Sequence, residues 1–269
     1  MKRGDVCTAL ASDKLSADRR QTGYPEIHPG GAKAKEARPT FVNLDDPEHA
    51  EQRALLEPWF TQEAAEKMRP TIARVVEQNL ERLIKQRGAH TDTPVDFVLE
   101  FAGLVPPQVV YHVLGVPEKD IARLSHDSEV RTSTSRDAAE TSSTNLQTYM
   151  KELVEKRLED PQDDLISHLV KGPYRQDKIT KEDIVNLAFL VLVAGNAALI
   201  NSIVLGLVTL LQHPDQLAEL KQTPSMAPKV VNELLRYHTT SALNSRRAVR
   251  EDTEIGGQVC RRSVYLVVR

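Results

Sequence analysis

Along most of the chain the apolar residues recur every three or four positions, the period of an amphipathic helix. Asp46, Pro47 and Glu48 read as the N-cap, first residue and first-turn acid of a helix running toward Trp59. Thr61 can cap the next helix, where Ile72, Val75, Val76, Leu80, Leu83 and Ile84 form one apolar stripe. That stripe predicts a core-facing helix, stopped by Gly88. Pro106 and Pro107 open a short helix that Gly115 ends, and Pro117 opens another reaching about Arg131. The stripe returns at Leu146, Tyr149, Met150, Leu153, Val154 and Leu158, and Pro161 breaks it. Later helices start at Pro214 and Pro228, the second running through Arg236.

The most apolar element begins behind Thr180 and Asp183, which together imitate a capping box. From Ile184 to Gln212 no residue is charged, and a helix of that extent would be about 40 Å long at ~1.5 Å per residue. Such a run is long enough to cross a bilayer. Against a span stand Asn186, Asn196, Asn201 and Ser202, which would need partners in lipid, and ends without a Lys/Arg cluster or an aromatic belt. The expectation is therefore the buried central helix of a helical domain and no membrane span. Beyond Ser241 the pattern changes to short strands and turns, at Arg247–Val249, Glu254–Gly257 and Val264–Val268. The fold class that follows is mainly α with a small β part near the C-terminus.

Composition changes the picture by exclusion. The chain has 269 residues and a formal net charge of -3, which gives no bulk attraction to nucleic acid or acidic lipid. The loosest stretch, Gly23 to Arg38, mixes prolines, glycines and cations and reads as a surface loop. The two cysteines, Cys7 and Cys260, lie too far apart for a CxxC redox or zinc pattern. No apolar run follows the charged N-terminus, so a cleaved signal is not expected and a reducing, cytoplasmic setting fits. No fixed-period repeat or low-complexity tract interrupts the chain.

Candidate chemistry starts from what is missing. No GxGxxG follows a strand, and there is no GxxxxGK[ST], HExxH or GxSxG. The eight histidines are scattered, none at metal-ligand spacing from another, so no protein metal site is expected. Two features remain. Glu233 and Arg236 share one helix face at i and i+3, as a solvated ion pair or as a structural lock. Ala194, Gly195, Asn196, Ala197 and Ala198 break the long apolar run with small side chains, serving close helix packing or a ligand against the backbone.

Taken with Pro47, Glu48, His49 and Arg53, in this order and spacing, these features resemble the cytochrome P-450 superfamily. Longer runs at Ala37–Val42, Leu192–Ala197, His213–Ala218 and Arg236–Thr239 are similar to the fungal nitric oxide reductases of that superfamily. The similarity extends from about Val6 to Gly257. It implies an incomplete P-450 fold: one partial domain over 1–269, without the family's first strands and helix and without its cysteine-bearing haem loop. Cys260 stands too soon after the Glu233 helix to be that cysteine.

The same resemblance implies haem b as cofactor and assigns roles. Glu233 and Arg236 become buried structural partners, while His49, Arg53 and Arg247 neutralise the haem propionates with charge-assisted hydrogen bonds. The long helix crosses the distal face, with Ala194 and Gly195 leaving ligand space, Asn196, Ala197 and Ala198 beside them, and Ser241 in the polar network. Oxygen-activating members carry an acid and a threonine at the positions of Ala197 and Ala198. Both are inert here, which opposes a monooxygenase, because proton delivery needs a titratable or hydroxylic group. Alanine at the first position is similar to the nitric oxide reductases, which reduce two nitric oxide molecules to nitrous oxide with NADH or NADPH and no redox partner protein. Those enzymes keep the threonine, so Ala198 departs from their pattern. Arg19, Arg157 and Arg246 match a basic entrance for the dinucleotide pyrophosphate, and His28 and Gly30 replace loop serines where the extra phosphate of NADPH would enter. The implied partners are nitric oxide and NAD(P)H, in the cytoplasm or, for full-length relatives, the mitochondrion. A P-450 monooxygenase fragment and a non-catalytic helical remnant are the competing readings.

Overall fold

The structure, a computed structural model, describes residues 2–22, 24, 38–87, 94–130, 136–238, 240, 246–262 and 265–267. By contacts the chain forms two compact units, Met1–Pro58 with Ser241–Arg269, and Trp59–Thr240. The expected mainly helical class holds.

The first unit contains helix α1 (Arg3–Ala11), helix α2 (Glu48–Leu56) and, among the described residues, all the strands. Strands β1 (Leu15–Ser16), β2 (Arg246–Val249) and β5 (Tyr265–Val267) pair antiparallel in the order β1-β2-β5. Strands β3 (Thr253–Ile255) and β4 (Gln258–Cys260) form a hairpin whose turn residues, Gly256 and Gly257, have φ of 60° and 78°. A two-residue hairpin turn of this hand needs positive φ at both positions, which glycine accepts without strain. Ala9, Leu15, Val249 and Ile255 make the apolar cluster. Asp45 ties the sheet to the chain ahead of α2. It accepts from the Ser16 hydroxyl, from the Ala17 amide at 2.7 Å and from Arg250 at 2.5 Å. Strand β1 carries no periodic signal and was not anticipated. Helix α2 starts one residue later than its sequence suggests: Pro47 occupies the N-cap, and Asp46 still accepts from the Ala50 amide at 3.2 Å.

The second unit is helical. Helices α3 (Gln62–Arg87), α4 (Val105–Leu114), α5 (Glu118–Val130), α6 (Arg136–Glu159) and α7 (Leu165–Lys171) precede the long apolar segment. That segment is two helices, α8 (Lys181–Ala194) and α9 (Ala197–Gln212), followed by α10 (Pro214–Gln222) and α11 (Ala227–Tyr237). Thr61 and Thr180 cap as expected, accepting from the Ala64 amide at 3.1 Å and the Asp183 amide at 3.2 Å. The core forms where α6 meets α5, α7 and α8, with Leu146, Met150, Leu153, Leu165, Leu169, Ile184 and Leu187 fully enclosed.

Two expected faces are corrected. On α3 only Val75 of the apolar stripe is fully buried, whereas Leu80 and Ile84 are exposed and the polar Asn79 is buried. Asn79 earns its place by donating to Val75 O at 2.7 Å and to Gln108 Oε1 at 2.9 Å. The long segment is a buried central helix in its first half only. Ile184, Leu187, Ala188 and Leu192 of α8 are buried, but on α9 only Gly206 is, and Leu199, Leu205, Val208 and Leu211 are exposed. By length and composition Lys181–Gln212 could cross a bilayer, although the helix is interrupted at Gly195–Asn196.

One junction joins three helices. Gly115 ends α4 with φ of 76°, and a Cβ there would lie 2.0 Å from Asp164 Oδ2. Asp164 caps α7 by accepting from the Ser167 amide at 2.7 Å. Arg157 of α6 donates to Asp164 Oδ2 at 2.5 Å and to the Gly115 carbonyl at 2.6 Å. The side chains of this pair are only 13% and 2% exposed. Removing one partner of a buried pair strands the other charge, so Asp164→Ala should cost about 3–5 kcal/mol. Glu233→Ala, at an exposed pair, should leave the urea midpoint unchanged within error; equal midpoints for both variants would refute this ranking.

Candidate functional site

The break in the long helix is built by close approach. Gly195 ends α8, and a Cβ on it would sit 2.4 Å from Val110 Cγ2 on α4, so only glycine lets these helices touch here. Asn196 then starts α9 without a side-chain capping bond. Its side chain is buried, and its Oδ1 has no hydrogen-bond partner. Residues four apart share a helix face. Asn196 with Ile200 and Ala197 with Asn201 therefore turn toward a cavity of 830 Å³ in the second unit. Ala194 and Ala198 lie off that cavity and are exposed. The expected five-residue distal pocket is thus split between two faces of the helix.

Glu233 and Arg236 are not the buried partners the resemblance implied. They form a two-point pair, Arg236 Nε to Glu233 Oε2 at 2.7 Å and Nη2 to Oε1 at 2.5 Å, with both side chains at least 60% exposed. The pair holds the Glu233 carboxyl below its usual range, chiefly through the hydrogen bond from Arg236. Helix α11 presents its other face to α9, where Leu234 approaches Gly206 and His238 bonds Thr209 at 2.6 Å. The exposed side is where no other described element packs against the pair.

Arg157 is also corrected. Its guanidinium is committed to Asp164 and the Gly115 carbonyl, so it is a buried structural cation and not part of a dinucleotide entrance. The other two predicted entrance cations meet in the first unit. Arg246 stands over the Tyr24 ring at 5.6 Å, and Arg19 is close enough to feel its charge. Burial holds the Arg19 guanidinium below its usual pKa against the opposing charges of Tyr24 and Asp18, with Arg246 a smaller contributor, and Arg19 Nε lacks a partner among the described residues. His28, Gly30 and Ser241 lie outside the described residues.

The three predicted propionate contacts all fall in the first unit. His49 places Nδ1 2.9 Å from the Phe41 carbonyl, which fixes the ring and leaves Nε2 for another partner. Arg53 pairs loosely with Glu57 at 3.3 Å on the surface, and Arg247 reaches the Arg246 carbonyl at 2.9 Å. Among the described residues no group of three or more His, Cys, Asp or Glu could hold a metal ion.

No protein-family model matches the chain. Cytochrome P450 55A3 of Fusarium lichenicola is 41% identical over 263 residues, 97% of this chain and 64% of that protein. The solved structure of cytochrome P450 TxtC, an enzyme of sequential aliphatic and aromatic thaxtomin hydroxylation, matches with a TM-score of 0.83 at 30% identity. It covers 98% of this chain and 68% of its own. The chain belongs to the cytochrome P450 superfamily. A second P450 structure, MoxA from Nonomuraea recticatena, gives a TM-score of 0.90 at 29% identity, over 98% of this chain and 66% of that one. The chain spans less than two thirds of the length of the curated P450 relatives it matches first, 64% and 61%.

P450 proteins are haem proteins. His49, Arg53 and Arg247 supply donors suited to the haem carboxylates. Its iron side is not matched. Cys260 packs against the apolar cluster of the first unit, and Cys7 is exposed on α1.

Asn196, named from sequence as a polar residue inside the uncharged run, is buried with an unpartnered Oδ1. Sequence reading missed the Ser125 hydroxyl, also buried without a partner, for which the sequence offers no signal. Gly195→Ala should destabilise the chain by about 1–3 kcal/mol through overpacking. Adding Val110→Ala should recover part of that loss, and a purely additive double mutant in urea unfolding would show that the contact is not the cause.

Proposed function

We propose that the chain is part of a haem-thiolate oxidoreductase of the nitric oxide reductase type. The whole reaction is 2 NO + NAD(P)H + H⁺ → N₂O + NAD(P)⁺ + H₂O, with the nicotinamide as direct hydride donor and no redox partner protein. The observation that carries this reading is the pairing of Arg19 with Arg246 beside Tyr24. The carboxylate nearest Arg19 is Asp18, which is already bonded to Arg20, and two further cations in a partly buried place suit an anion such as a dinucleotide pyrophosphate. Ala197 supports it, since alanine at this position is similar to the nitric oxide reductases and cannot deliver a proton to bound dioxygen, whereas Ala198 departs from both enzyme types. His49, Arg53 and Arg247 would hold the haem carboxylates.

A monooxygenase reading is favoured by relatives such as TxtC, which hydroxylates. The proton-relay positions oppose it.

NADH binding to this chain, followed by nucleotide fluorescence, should weaken about tenfold in Arg246→Gln, as loss of a charge-assisted contact predicts. It should also weaken with added salt. An unchanged Kd in Arg246→Gln would remove the support for a dinucleotide site. After haem addition and reduction, the CO complex of this chain should lack the red-shifted Soret band of a thiolate ligand. A thiolate-type band would show that one of its own cysteines reaches the iron.

A further inference from the structure

Two adjacent arginines of the first unit are used in opposite ways. Arg20, with 49% of its side chain exposed, closes as a fork over the buried Asp18 carboxylate. Its Nε donates to Oδ1 at 2.9 Å, its Nη2 to Oδ2 at 2.7 Å, and its backbone amide to Oδ1 at 2.8 Å. Arg19 is more enclosed, and its Nε is buried with no partner among the described residues. Burial holds the Arg19 pKa below its usual value, and the charges of Tyr24 and Asp18 oppose that shift. Asp18 is therefore near enough to act on Arg19, yet it is bonded to the outer arginine. An enclosed cation gains more from a counter-charge than an exposed one does. The pairing that is made leaves the more enclosed cation open.

The other carboxylate of this cluster is occupied in the same way. Asp45 accepts from the Ser16 hydroxyl, the Ala17 amide and Arg250, and Ser16 Oγ in turn accepts from the Asp18 amide at 3.1 Å. Arg250 also acts on Asp18 by its charge, as Glu48 and Asp45 act on Arg20. Arg246, the second open cation, has the Tyr24 ring at 5.6 Å.

We propose that Arg20 is a positioning residue for the anion site of Arg19 and Arg246: by holding Asp18 it masks a carboxylate that would otherwise neutralise Arg19 and repel an incoming phosphate. The inference rests on the dinucleotide reading of that site and adds what keeps the site open. Arg20 acts through Asp18 and touches no ligand. Unmasked, Asp18 would pair within the site and repel an anion at once, two effects of one sign.

The test is a double-mutant cycle on the full chain, read as the Kd of NADH by nucleotide fluorescence and of inorganic pyrophosphate by calorimetry. Arg20→Gln should weaken both about tenfold, the order of one uncompensated charge acting across a partly buried site. Asp18→Asn alone should change either Kd by less than about twofold, because a charge already paired adds little repulsion. The double variant, Arg20→Gln with Asp18→Asn, should return to native affinity. If Arg20 serves only as one more cation, Asp18→Asn tightens binding by as much as Arg20→Gln weakens it, and the two changes add. Additive changes overturn the proposal, as does native affinity in Arg20→Gln. Should circular dichroism show that Arg20→Gln does not fold, Asp18→Asn decides alone: tighter binding overturns the proposal, and unchanged binding supports it. The two readings fail separately. NADH affinity unmoved by Arg246→Gln, with coupling still seen for pyrophosphate, sinks the dinucleotide site and leaves the role of Arg20 standing. Binding of neither probe removes both.

Discussion

The Arg157 guanidinium is shared between the Asp164 carboxylate, at 2.5 Å, and the Gly115 carbonyl, at 2.6 Å. Those contacts join the end of α4, the last turn of α6 and the start of α7, the helices that enclose the core of the second unit. Each partner has a second duty. Gly115 turns the chain with positive φ, and Asp164 caps α7. The geometry leaves no room for a side chain at 115, so the turn, the cap and the ion pair stand or fall together. A charge pair this enclosed contributes through the severe cost of leaving either charge alone. It therefore acts more as a constraint on helix position than as a source of net stability.

With α6 and α7 held in this way, α8 can bury its apolar side against them, and the route of the long segment is set. The interruption after Ala194 follows from the contact of Gly195 with Val110 on α4. From that point α9 is oriented by packing against α11, through Gly206 and Leu234 and through the Thr209–His238 bond. Its apolar residues extend beyond what α10 and α11 cover. The same interruption turns Asn196 inward, where its side-chain oxygen is buried without a partner.

The first unit gathers charge differently. Asp45 collects the Ser16 hydroxyl, the Ala17 amide and Arg250. Beside it Asp18 is buried yet held below the usual carboxylate range. Burial alone would raise it, but the hydrogen bonds from Arg20 and the charges of Arg20 and Arg250 together outweigh that cost. Arg19 and Arg246 have no comparable carboxylate bond, and the aromatic face of Tyr24 is a weaker counterpart for Arg246.

Local sequence alone determined where most helices begin and end, because caps, prolines and C-terminal glycines act over a few residues: Thr61, Thr180, Pro106 and Gly115 all behave as their types require. It also carried the hairpin at Gly256–Gly257 and the superfamily, through runs such as those at Pro47–Arg53 and Glu233–Arg236. Burial was decided by tertiary structure, because a periodic stripe states which side of a helix is apolar and not whether another element covers it. Thus Leu80 and Ile84 are exposed, Asn79 is inside, Glu233 and Arg236 face solvent, and Arg157 is enclosed. The meeting of Arg19 with Arg246 depends on a sheet that joins residues more than two hundred positions apart, a contact no local pattern can encode.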